Sequence, residues 1–490
     1  MATITLALAA TAAWAQDGSD GDAAKDGSGD LDVLFDAEMI EDDSGDGSAA
    51  AAGASTGSDL DALFDSDVVE TAVTGVDTSS AGAPEETLLT RAGVDWGGSF
   101  RYAPEVELGF PGYDALAAAL RGDDEAERAL RHDLAAELYF DARPSSDFRA
   151  FGKARVEYAL PVADGLGGAH AGSSGGAEFA FTVFELFADF HWDDRVFFRT
   201  GKQRADWGVG RFFSPADLMS LVTIDPLDPE AEREGPVALK VHAPLGVHNA
   251  YLYLITGDFR DPLEVAVGAR GELVVGGVEL GAGGLIQAEL VPKAIATATG
   301  SVDDFDLFAE WVIQRGTERN LVELDATGRL QVTGYEARDE EWFLATTVGA
   351  LYFAAEHGIV LAAQYYFNPL GYPDSAALAP ARAALGAPAG DGPPRTGPRP
   401  EAVDLLFFGR HYAGASATWN GIADSDLSAS LFWLANLSDG SGIVRPALTW
   451  QVLEYARLAV GASLGYGTAA TEYGERVAFT LGAALGVGSF

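Results

Sequence analysis

The chain has no cysteine among its 490 residues. This absence excludes disulfides, thiolate metal sites and a cysteine nucleophile. No apolar run of about 18 residues follows the N-terminal segment, which excludes a protein that crosses a membrane by helices. Basic residues are also few, at 31 Lys and Arg against 74 Asp and Glu, and the formal net charge is -43. Nucleic-acid binding needs a basic surface, so this charge argues against it.

Sequence signals of enzymatic chemistry are scarce as well. The 7 histidines are scattered, and the sequence contains neither an HExxH zinc motif nor a P-loop. We therefore expect a protein that is not an enzyme and that needs no cofactor and no metal.

The most informative pattern that is present lies in residues 133–160. Apolar and charged side chains alternate through 133–141 and, after a polar turn at 143–147, alternate again up to residue 160. A strand sends successive side chains to opposite faces, so the pattern predicts two antiparallel strands with one oily face and one charged face. A soluble sheet would cover the oily face with a core, whereas a membrane barrel would turn it to lipid and the charged face to a wet lumen.

The rest of the chain favours the membrane barrel, because strand-like segments follow one another from residue 94 to the end. Only 113–132 has the composition of a helix, and it falls in a loop. We predict an all-β protein, a transmembrane antiparallel up-and-down β-barrel of about 16–18 strands over 94–490, wide enough for an aqueous channel. The predicted strands are 95–104, 133–142, 147–160, 178–191, 194–207, 235–243, 248–257, 262–270, 272–282, 284–296, 303–315, 342–354, 357–368, 408–420, 426–437, 443–453, 455–467 and 475–490.

The lengths of the connections alternate in the way such a barrel requires, with short turns on the periplasmic side and long loops outside. The predicted short turns are 143–146, 192–193, 244–247, 271, 297–302, 355–356 and 421–425. The predicted long loops are 105–132, 161–177, 208–234, 316–341 and 369–407.

Residues before the barrel have a different composition. Residues 1–15 are apolar and end in Ala13-Trp14-Ala15, which is typical of a signal peptide with its cleavage site. Residues 16–93 hold 20 acidic and 2 basic residues, a net charge of -18, and predict a disordered periplasmic tail. The tail repeats the motif DLDxLFD, starting at Asp30 and again at Asp59. The repeat is interpreted either as two docking motifs for a periplasmic partner or as a duplicated linker.

The densest motif runs from Arg199 to Asp217 and continues from Asp225 to Pro236. Its pattern G-K-Q-x-x-x-W-G, then F-F-S-P-A-D, then R-E-G-P resembles a segment of porin-like outer-membrane β-barrel proteins of Gram-negative and spirochaetal bacteria. The motif covers under a tenth of the chain. The resemblance implies a strand that ends at an outer loop folded back toward the lumen.

Three residues of this motif are candidate anchors of that loop. Gln203 and Trp207 would share one face, and Asp217 and Arg233 would pair to pin the loop. An alternative interpretation assigns Trp207, Phe212 and Phe213 to the outer aromatic girdle and to loop packing. The candidate loop anchors are Trp207, Asp217 and Arg233.

Charged and polar residues on the predicted strands are candidates for the pore lining. Basic side chains on one strand face acidic ones on the next, and this arrangement has two interpretations. A mixed wall would select solutes by charge and dipole; alternatively, neighbouring strands neutralise each other to stabilise a polar lumen. The candidate pore-lining residues are Glu137, Arg149, Lys153, Arg155, Glu185, Asp189, Arg199, Gln203, Asp306 and Glu310.

The chain ends in Phe490, and a terminal aromatic that closes an amphipathic strand resembles the signal read by the barrel assembly machinery. In the last strand Phe490 has the opposite parity to Val477, Phe479 and Leu481, so a bulge near Gly488 is needed to restore the register. The expected location is the bacterial outer membrane, in contact with its lipid. A homo-oligomer is also compatible with the sequence, although no interface can be identified.

The function expected from these observations is a porin-like channel for the passive or weakly selective diffusion of small hydrophilic solutes. An alternative is a non-conducting surface barrel, an adhesin or structural protein that acts through its long outer loops. A transporter of apolar compounds is disfavoured, because the predicted inward faces carry Glu137, Arg149, Lys153 and Asp306.

Overall fold

A computed structural model describes residues 94–486 of the chain, apart from 123–125, 160–177, 194, 222, 230, 257–263 and 388–391. The predicted signal peptide, the acidic tail with its tandem motif and Phe490 lie outside the described residues, and so does the bulge expected near Gly488.

Eighteen strands of the described residues form one closed antiparallel sheet, and three more form a small separate sheet. The barrel strands are β1 Val94–Phe110, β2 Glu127–Ser145, β3 Phe148–Ala159, β4 Glu178–Trp192, β5 Val196–Lys202, β6 Val237–Leu245, β7 His248–Thr256, β8 Val265–Val275, β9 Val278–Gln287, β10 Lys293–Val302, β11 Phe305–Arg315, β14 Trp342–Ala354, β15 Ile359–Phe367, β17 His411–Trp419, β18 Leu427–Asn436, β19 Ser441–Leu453, β20 Ala456–Tyr466 and β21 Arg476–Leu485. The small sheet holds β12 Leu321–Leu324, β13 Leu330–Thr333 and β16 Arg395–Thr396, and the two α-helices are α1 Tyr113–Leu120 and α2 Leu378–Gly386.

The barrel closes between its first and last strands, where Tyr102 pairs with Leu485 and Phe110 pairs with Val477. Every other barrel strand pairs with its neighbours in chain order, so the topology is up-and-down, as predicted. Closure satisfies the backbone hydrogen bonds of both edge strands, which a sheet immersed in lipid cannot leave open.

The two rims of the barrel differ as expected. One rim carries only short connections, such as 146–147, 276–277, 303–304 and 454–455. The opposite rim carries the long ones, including 203–236, 316–341 and 368–410. Val94 and Leu485 both lie at the short-turn rim, since β1 starts and β21 ends there.

The outer face of the barrel is an apolar belt made of the outward parity of each strand. Large apolar side chains on it are exposed all the way round, although a soluble fold would bury them. Examples are Trp96, Leu138, Phe181, Leu252, Ile286, Leu307, Leu344, Leu361, Leu431, Leu448, Val460 and Leu481.

A bulge in β4 turns one apolar side chain toward the lumen. Lys153 pairs with Glu185 but Ala154 pairs with Val183, so Phe184 has no partner of its own across the ladder. The extra residue turns Phe184 inward, where the guanidinium of Arg155 lies 4.8 Å from its ring centre. Strict alternation along 178–191 would place Phe184 on the oily face with Leu186, and the bulge overturns that expectation.

Some predicted boundaries are wrong as well. The short turns expected at 271 and 297–302 lie instead at 276–277 and 303–304, and the predicted strand 194–207 ends at Lys202. The helix expected within 113–132 is only the eight residues of α1, because β2 already starts at Glu127.

Two long loops, 316–341 and 368–410, fold together into a cap on the long-loop rim; residues 388–391 of the second are not described. The cap has its own apolar core, which includes Val322, Leu330 and Leu378. The buried carboxylate of Asp404 accepts hydrogen bonds from the backbone N–H of Asn320 at 2.7 Å and from its side-chain amide at 2.9 Å. One side chain thus joins the two loops.

Replacing Asp404 by Ala should loosen the cap, because it leaves buried donors of Asn320 unpaired at a cost of about 1–3 kcal/mol each. We expect D404A to be cleaved several-fold faster than the wild type within 316–341 during limited proteolysis. The exposed Glu336 of the same cap provides the control E336A, which should behave as the wild type. Equal cleavage of D404A and E336A would contradict this role of Asp404.

Candidate functional site

The candidate site is the lumen of the barrel, which a long connection enters from one side. This inner loop, residues 203–236, leaves β5 and returns to β6; residues 222 and 230 of it are not described. Gly201 makes the departure possible, since its φ is +129° and a Cβ there would lie 2.2 Å from the carbonyl oxygen of Leu186. The loop then contacts β11, β15 and β17, and β17 is nine strands away from β5, halfway around the barrel.

The carboxylate of Glu310 on β11 is the main anchor of the inner loop. Its Oε1 accepts hydrogen bonds from the backbone N–H of Val209 and Gly210 and from the hydroxyl of Ser214, the last at 2.8 Å. Its Oε2 accepts the backbone N–H of Ala216 at 3.0 Å. Glu310 is 0% exposed, so its buried charge is compensated by these four donors.

Gln364 on β15 is a second anchor, two strands along the barrel from β11. Its Oε1 accepts the backbone N–H of Arg211 at 3.0 Å and of Phe212 at 2.7 Å. Its Nε2 donates to the carbonyl of Phe213 and to the hydroxyl of Thr347. Both ends of one amide are therefore used, which fixes the direction of the loop backbone.

Aromatic side chains of the loop fill the space between it and the wall. Trp207 is 1% exposed and meets Tyr253 edge to face, with ring centres 5.6 Å apart. The indole ring fits against the wall because residue 268 is glycine, where a Cβ would lie 2.7 Å from the ring. Phe212 and Phe213 are equally buried, and Phe213 stacks on Tyr366. These rings are packed inside the lumen and are not part of an outer girdle.

Ion pairs hold the middle and the returning part of the loop. Arg233 contacts the carboxylate of Asp217 and lies 3.5 Å from that of Asp206. Ser220 donates to Asp217 at 2.7 Å. The structure thus places Asp217 and Arg233 in contact, and their role as loop anchors stays a prediction.

A cluster of four charges joins the returning part of the loop to the barrel wall. Glu232 of the loop lies 2.8 Å from the ammonium of Lys153 and 2.6 Å from the guanidinium of Arg155. Glu137 on β2 contacts the same two bases, at 3.4 Å and 2.8 Å. Each base is therefore shared by one wall carboxylate and one loop carboxylate.

A second charge cluster, buried except for Asp141, lies nearer the short-turn rim. Asp189 is bound by Arg199 at 2.8 Å and lies 3.9 Å from Arg149, which also contacts Asp141 at 3.1 Å. Both guanidinium groups lie over the ring of Phe187. Opposite charges on neighbouring strands neutralise each other here, as one of the two sequence interpretations expected.

The inner loop divides the lumen wall into a covered arc and an open arc. On the covered arc, from β5 to β17, inward side chains are buried; examples are Lys240, Tyr253, Glu310, Val312, Thr347 and Tyr412. The open arc runs from β18 through β21 to β3, and many of its inward side chains remain partly exposed. Examples are Ser430, Thr449, Ser463, Thr480, Arg101 and Asp133.

The ten predicted pore-lining residues divide between these environments. Glu137, Lys153, Arg155 and Asp306 keep contact with solvent, and for these a pore-lining role stays a prediction. The other six are buried in the wall or against the loop: Arg149, Glu185, Asp189, Arg199, Gln203 and Glu310. Gln203, for example, donates to the carbonyl of Ala238 at 2.9 Å.

Sequence reasoning missed Gln364, Gly268 and Glu232. Gln364 carried a usable signal, since it is a polar residue with inward parity in the apolar strand β15. Glu232 and Gly268 carried none, because their partners Lys153 and Trp207 are far away in the chain.

Another buried carboxyl group ties the loop 467–475 to the long-loop rim. Glu472 accepts a hydrogen bond from the hydroxyl of Tyr412 at 2.5 Å and from the amide of Asn436 at 2.8 Å. Its carbonyl accepts the guanidinium of Arg382 on the cap helix α2. Although Glu472 as a whole is partly exposed, burial of its carboxyl group raises its pKa to about 7.

In the part of the chain that the structure describes, no helix has the length and apolar character to cross a membrane. Nor do the described residues bring together three or more His, Asp or Glu side chains in a way that could hold a metal ion.

Comparisons with known proteins gave only structural likenesses. No family model matches the chain, and no curated protein matches it. OccAB1 of Acinetobacter baumannii covers 81% of this chain and 96% of its own at 10% identity and a TM-score of 0.46. OmpT (a loop-deletion mutant), an outer membrane protein of Vibrio cholerae, covers 81% and 100% at 12% identity and a TM-score of 0.34. A mutant of the Rh. blastica porin covers 80% and 100% at 12% identity and a TM-score of 0.37.

By their names, OmpT is an outer membrane protein and the Rh. blastica protein is a porin. At identities this low and TM-scores this small, the likeness carries no argument about function.

Replacing Glu310 by Gln should weaken the hydrogen bonds that hold the inner loop against the barrel wall. Gln at this position keeps one acceptor oxygen and loses the charge, so the buried N–H groups of the loop are left partly unpaired, at a cost of about 1–3 kcal/mol. We expect E310Q to lower the midpoint of heat unfolding and to expose 203–236 to proteases. The control E157Q changes a half-exposed carboxylate of the open arc and should leave both measurements unchanged. Identical behaviour of E310Q and the wild type would show that the loop is held elsewhere.

The stability of the loop 467–475, which Glu472 ties to the barrel, should depend on pH. The folded pKa of Glu472, about 7, lies above the ordinary value of 4.5, so the folded form binds this proton more tightly than the opened form. The free energy of opening the loop 467–475 should therefore fall, by up to about 3 kcal/mol, as the pH rises from 4.5 to 7. Hydrogen exchange of these amides, corrected for intrinsic rates, measures it. E472Q, which keeps both acceptor bonds, should remove the dependence; its persistence in E472Q would assign it to another group.

Proposed function

We propose that the protein is an outer-membrane channel for the passive or weakly selective diffusion of small hydrophilic solutes, narrowed by its inner loop. The observation that carries the proposal is the open arc. An eighteen-strand barrel is wide enough to enclose an aqueous channel. The inner loop packs mainly against the covered arc and touches the open arc at a few side chains, among them Arg155 and Arg445. The part of the lumen that the loop does not fill is lined by partly exposed hydroxyl and charged side chains, such as Ser430, Thr449 and Arg101.

The apolar belt supports the membrane part of the proposal. Exposed Leu, Phe and Trp side chains surround the barrel, and lipid is the environment in which that surface is stable. On this proposal the short-turn rim faces the periplasm, and with it the acidic tail that precedes Val94. Recognition of Phe490 by the barrel assembly machinery, a periplasmic partner of the tail and assembly into homo-oligomers remain parts of the proposal.

Charges beside the water path give a weak selectivity. The ion-paired cluster of Lys153, Arg155 and Glu232 presents charges of both signs to the lumen, and such fixed charges sort solutes by charge and dipole. Lys153 and Arg155 are already paired with Glu137 and Glu232. Of the other charges nearby on the open arc, the acidic Asp133 and Glu157 outnumber the basic Arg101. We therefore propose a mild preference for cations.

The cap favours a second candidate, a surface barrel that acts through its outer loops. A folded unit with its own core on the long-loop rim is more than a pore needs. This candidate requires a closed lumen, so conduction distinguishes it from the first.

Single-channel recording of the purified, refolded protein in a planar bilayer tests the proposal. The open arc predicts discrete, stable current steps in molar salt. Protein that is shown to be folded and inserted but gives no steps would reject the channel and leave the surface barrel.

The ion selectivity of the proposed channel should depend on the charge of Glu232. A unit charge about 7 Å from the path of an ion changes its energy by about 0.6 kcal/mol in water, roughly a threefold change in local concentration. We expect E232Q to lower the cation-to-anion permeability ratio by about two- to threefold. The reversal potential in a salt gradient measures this, at low salt to limit screening. The control E356Q removes a charge on an exposed turn of the short-turn rim and should leave the ratio unchanged; equal shifts in both would mean that Glu232 is not on the path.

A further inference from the structure

Helix α1 lies on the outer face of the barrel, and neither the pore nor the cap uses it. It follows β1 directly and packs on Phe110, Val477 and Leu464. These three belong to the outward parity of their strands, because Phe110 pairs with Val477 and Val477 pairs with Leu464. The next outward pair below them is Leu108 and Phe479, both exposed in the apolar belt.

The sequence of α1 gives the helix three different faces. Ala115, Leu116 and Ala119 pack against the barrel. Residues 114, 118 and 121 share a second face, which carries the two charges of Asp114 and Arg121. Positions i, i+4 and i+7 lie on one side of a helix, so Tyr113, Ala117 and Leu120 form the third face. This face is apolar, and Leu120 at its end is 80% exposed.

The height of α1 on the barrel places this third face at a membrane surface. Outward apolar side chains of β1 run from Trp96 to Leu108. Twelve residues at about 3.3 Å each, tilted by about 40°, span roughly 30 Å, the thickness of the hydrocarbon core. Phe110 and α1 come immediately after this span, at the level of the lipid headgroups on the long-loop side.

We propose that α1 is an interfacial helix that inserts Tyr113, Ala117 and Leu120 into the lipid surface beside the barrel, a function that rests on the proposed membrane location. Its charged face, with Asp114 and Arg121, then faces water, and its third face continues the apolar belt. A lipid surface accommodates both faces at once, because an amphipathic helix lies in the interface with its apolar side toward the acyl chains. The helix would fix the depth of the barrel at the closure between β1 and β21.

The absence of cysteine from the chain allows a direct test. Single cysteines at three positions carry a nitroxide spin label, in the full chain reconstituted into vesicles of dioleoylphosphatidylcholine. L120C reports on α1, L138C reports on the apolar belt, and V403C reports on an exposed apolar position of the cap. Oxygen collides with labels in lipid and a water-soluble nickel chelate with labels in water, so the ratio of the two accessibilities gives the depth.

The proposal predicts an oxygen-to-nickel accessibility ratio for L120C several-fold above that of V403C and approaching that of L138C. A ratio for L120C equal to that of V403C, with L138C in lipid, would overturn the interfacial helix and leave the proposed channel intact. A label at L120C that neither reagent reaches would also overturn it, in favour of a protein contact. If L138C itself is exposed to the nickel chelate, the membrane location fails, and the interfacial helix fails with it.

Discussion

The structure depends on how a stretch of irregular backbone is accommodated inside a barrel. The inner loop has many peptide groups that no strand pairs with, and a buried peptide group without a partner is costly. Glu310 and Gln364 supply these partners from the far wall, five backbone N–H groups between them. Because both side chains project from strands of the closed sheet, the loop is held across the lumen and packs mainly against one arc, with a few contacts to the other arc at β3, β18 and β19. The open arc, and with it the proposed channel, is a consequence.

Much of the fold could be predicted from the sequence, because the period of two that a barrel strand requires is a local signal. All eighteen predicted strands have a counterpart, and the long connections of the described residues share one rim. The errors occurred where the local signal is weak or was misread. Residues 293–302 are mostly small and nearly uncharged, so the sequence has no clear signal for the end of β10. Gly276 and Gly277, by contrast, both have positive φ and form a hairpin turn that a Gly-Gly pair does indicate.

The site was less predictable, because its contacts join distant parts of the chain. Inward parity identified Glu310, but nothing near it indicates that its partners are Val209 and Ser214. Charges were predicted on the right strands, yet their burial was not, since the side chains that pack around Asp189 and Arg199 come from several strands and cannot be positioned from the pattern of one strand. The two interpretations of these charges both have a place. Neutralisation describes the cluster around Asp189, and a charged passage is proposed at Lys153, Arg155 and Glu232.

The division of the lumen into a covered and an open arc is the central claim, and chemical modification during conduction tests it most directly. Ser430 lies on the open arc and Val312 on the covered arc, and a cysteine fits either site in this cysteine-free chain. A bulky, membrane-impermeant methanethiosulfonate added to open channels should reduce the current of S430C in discrete steps and leave V312C unaffected. Modification of V312C at the same rate as S430C, or of neither, would contradict the account.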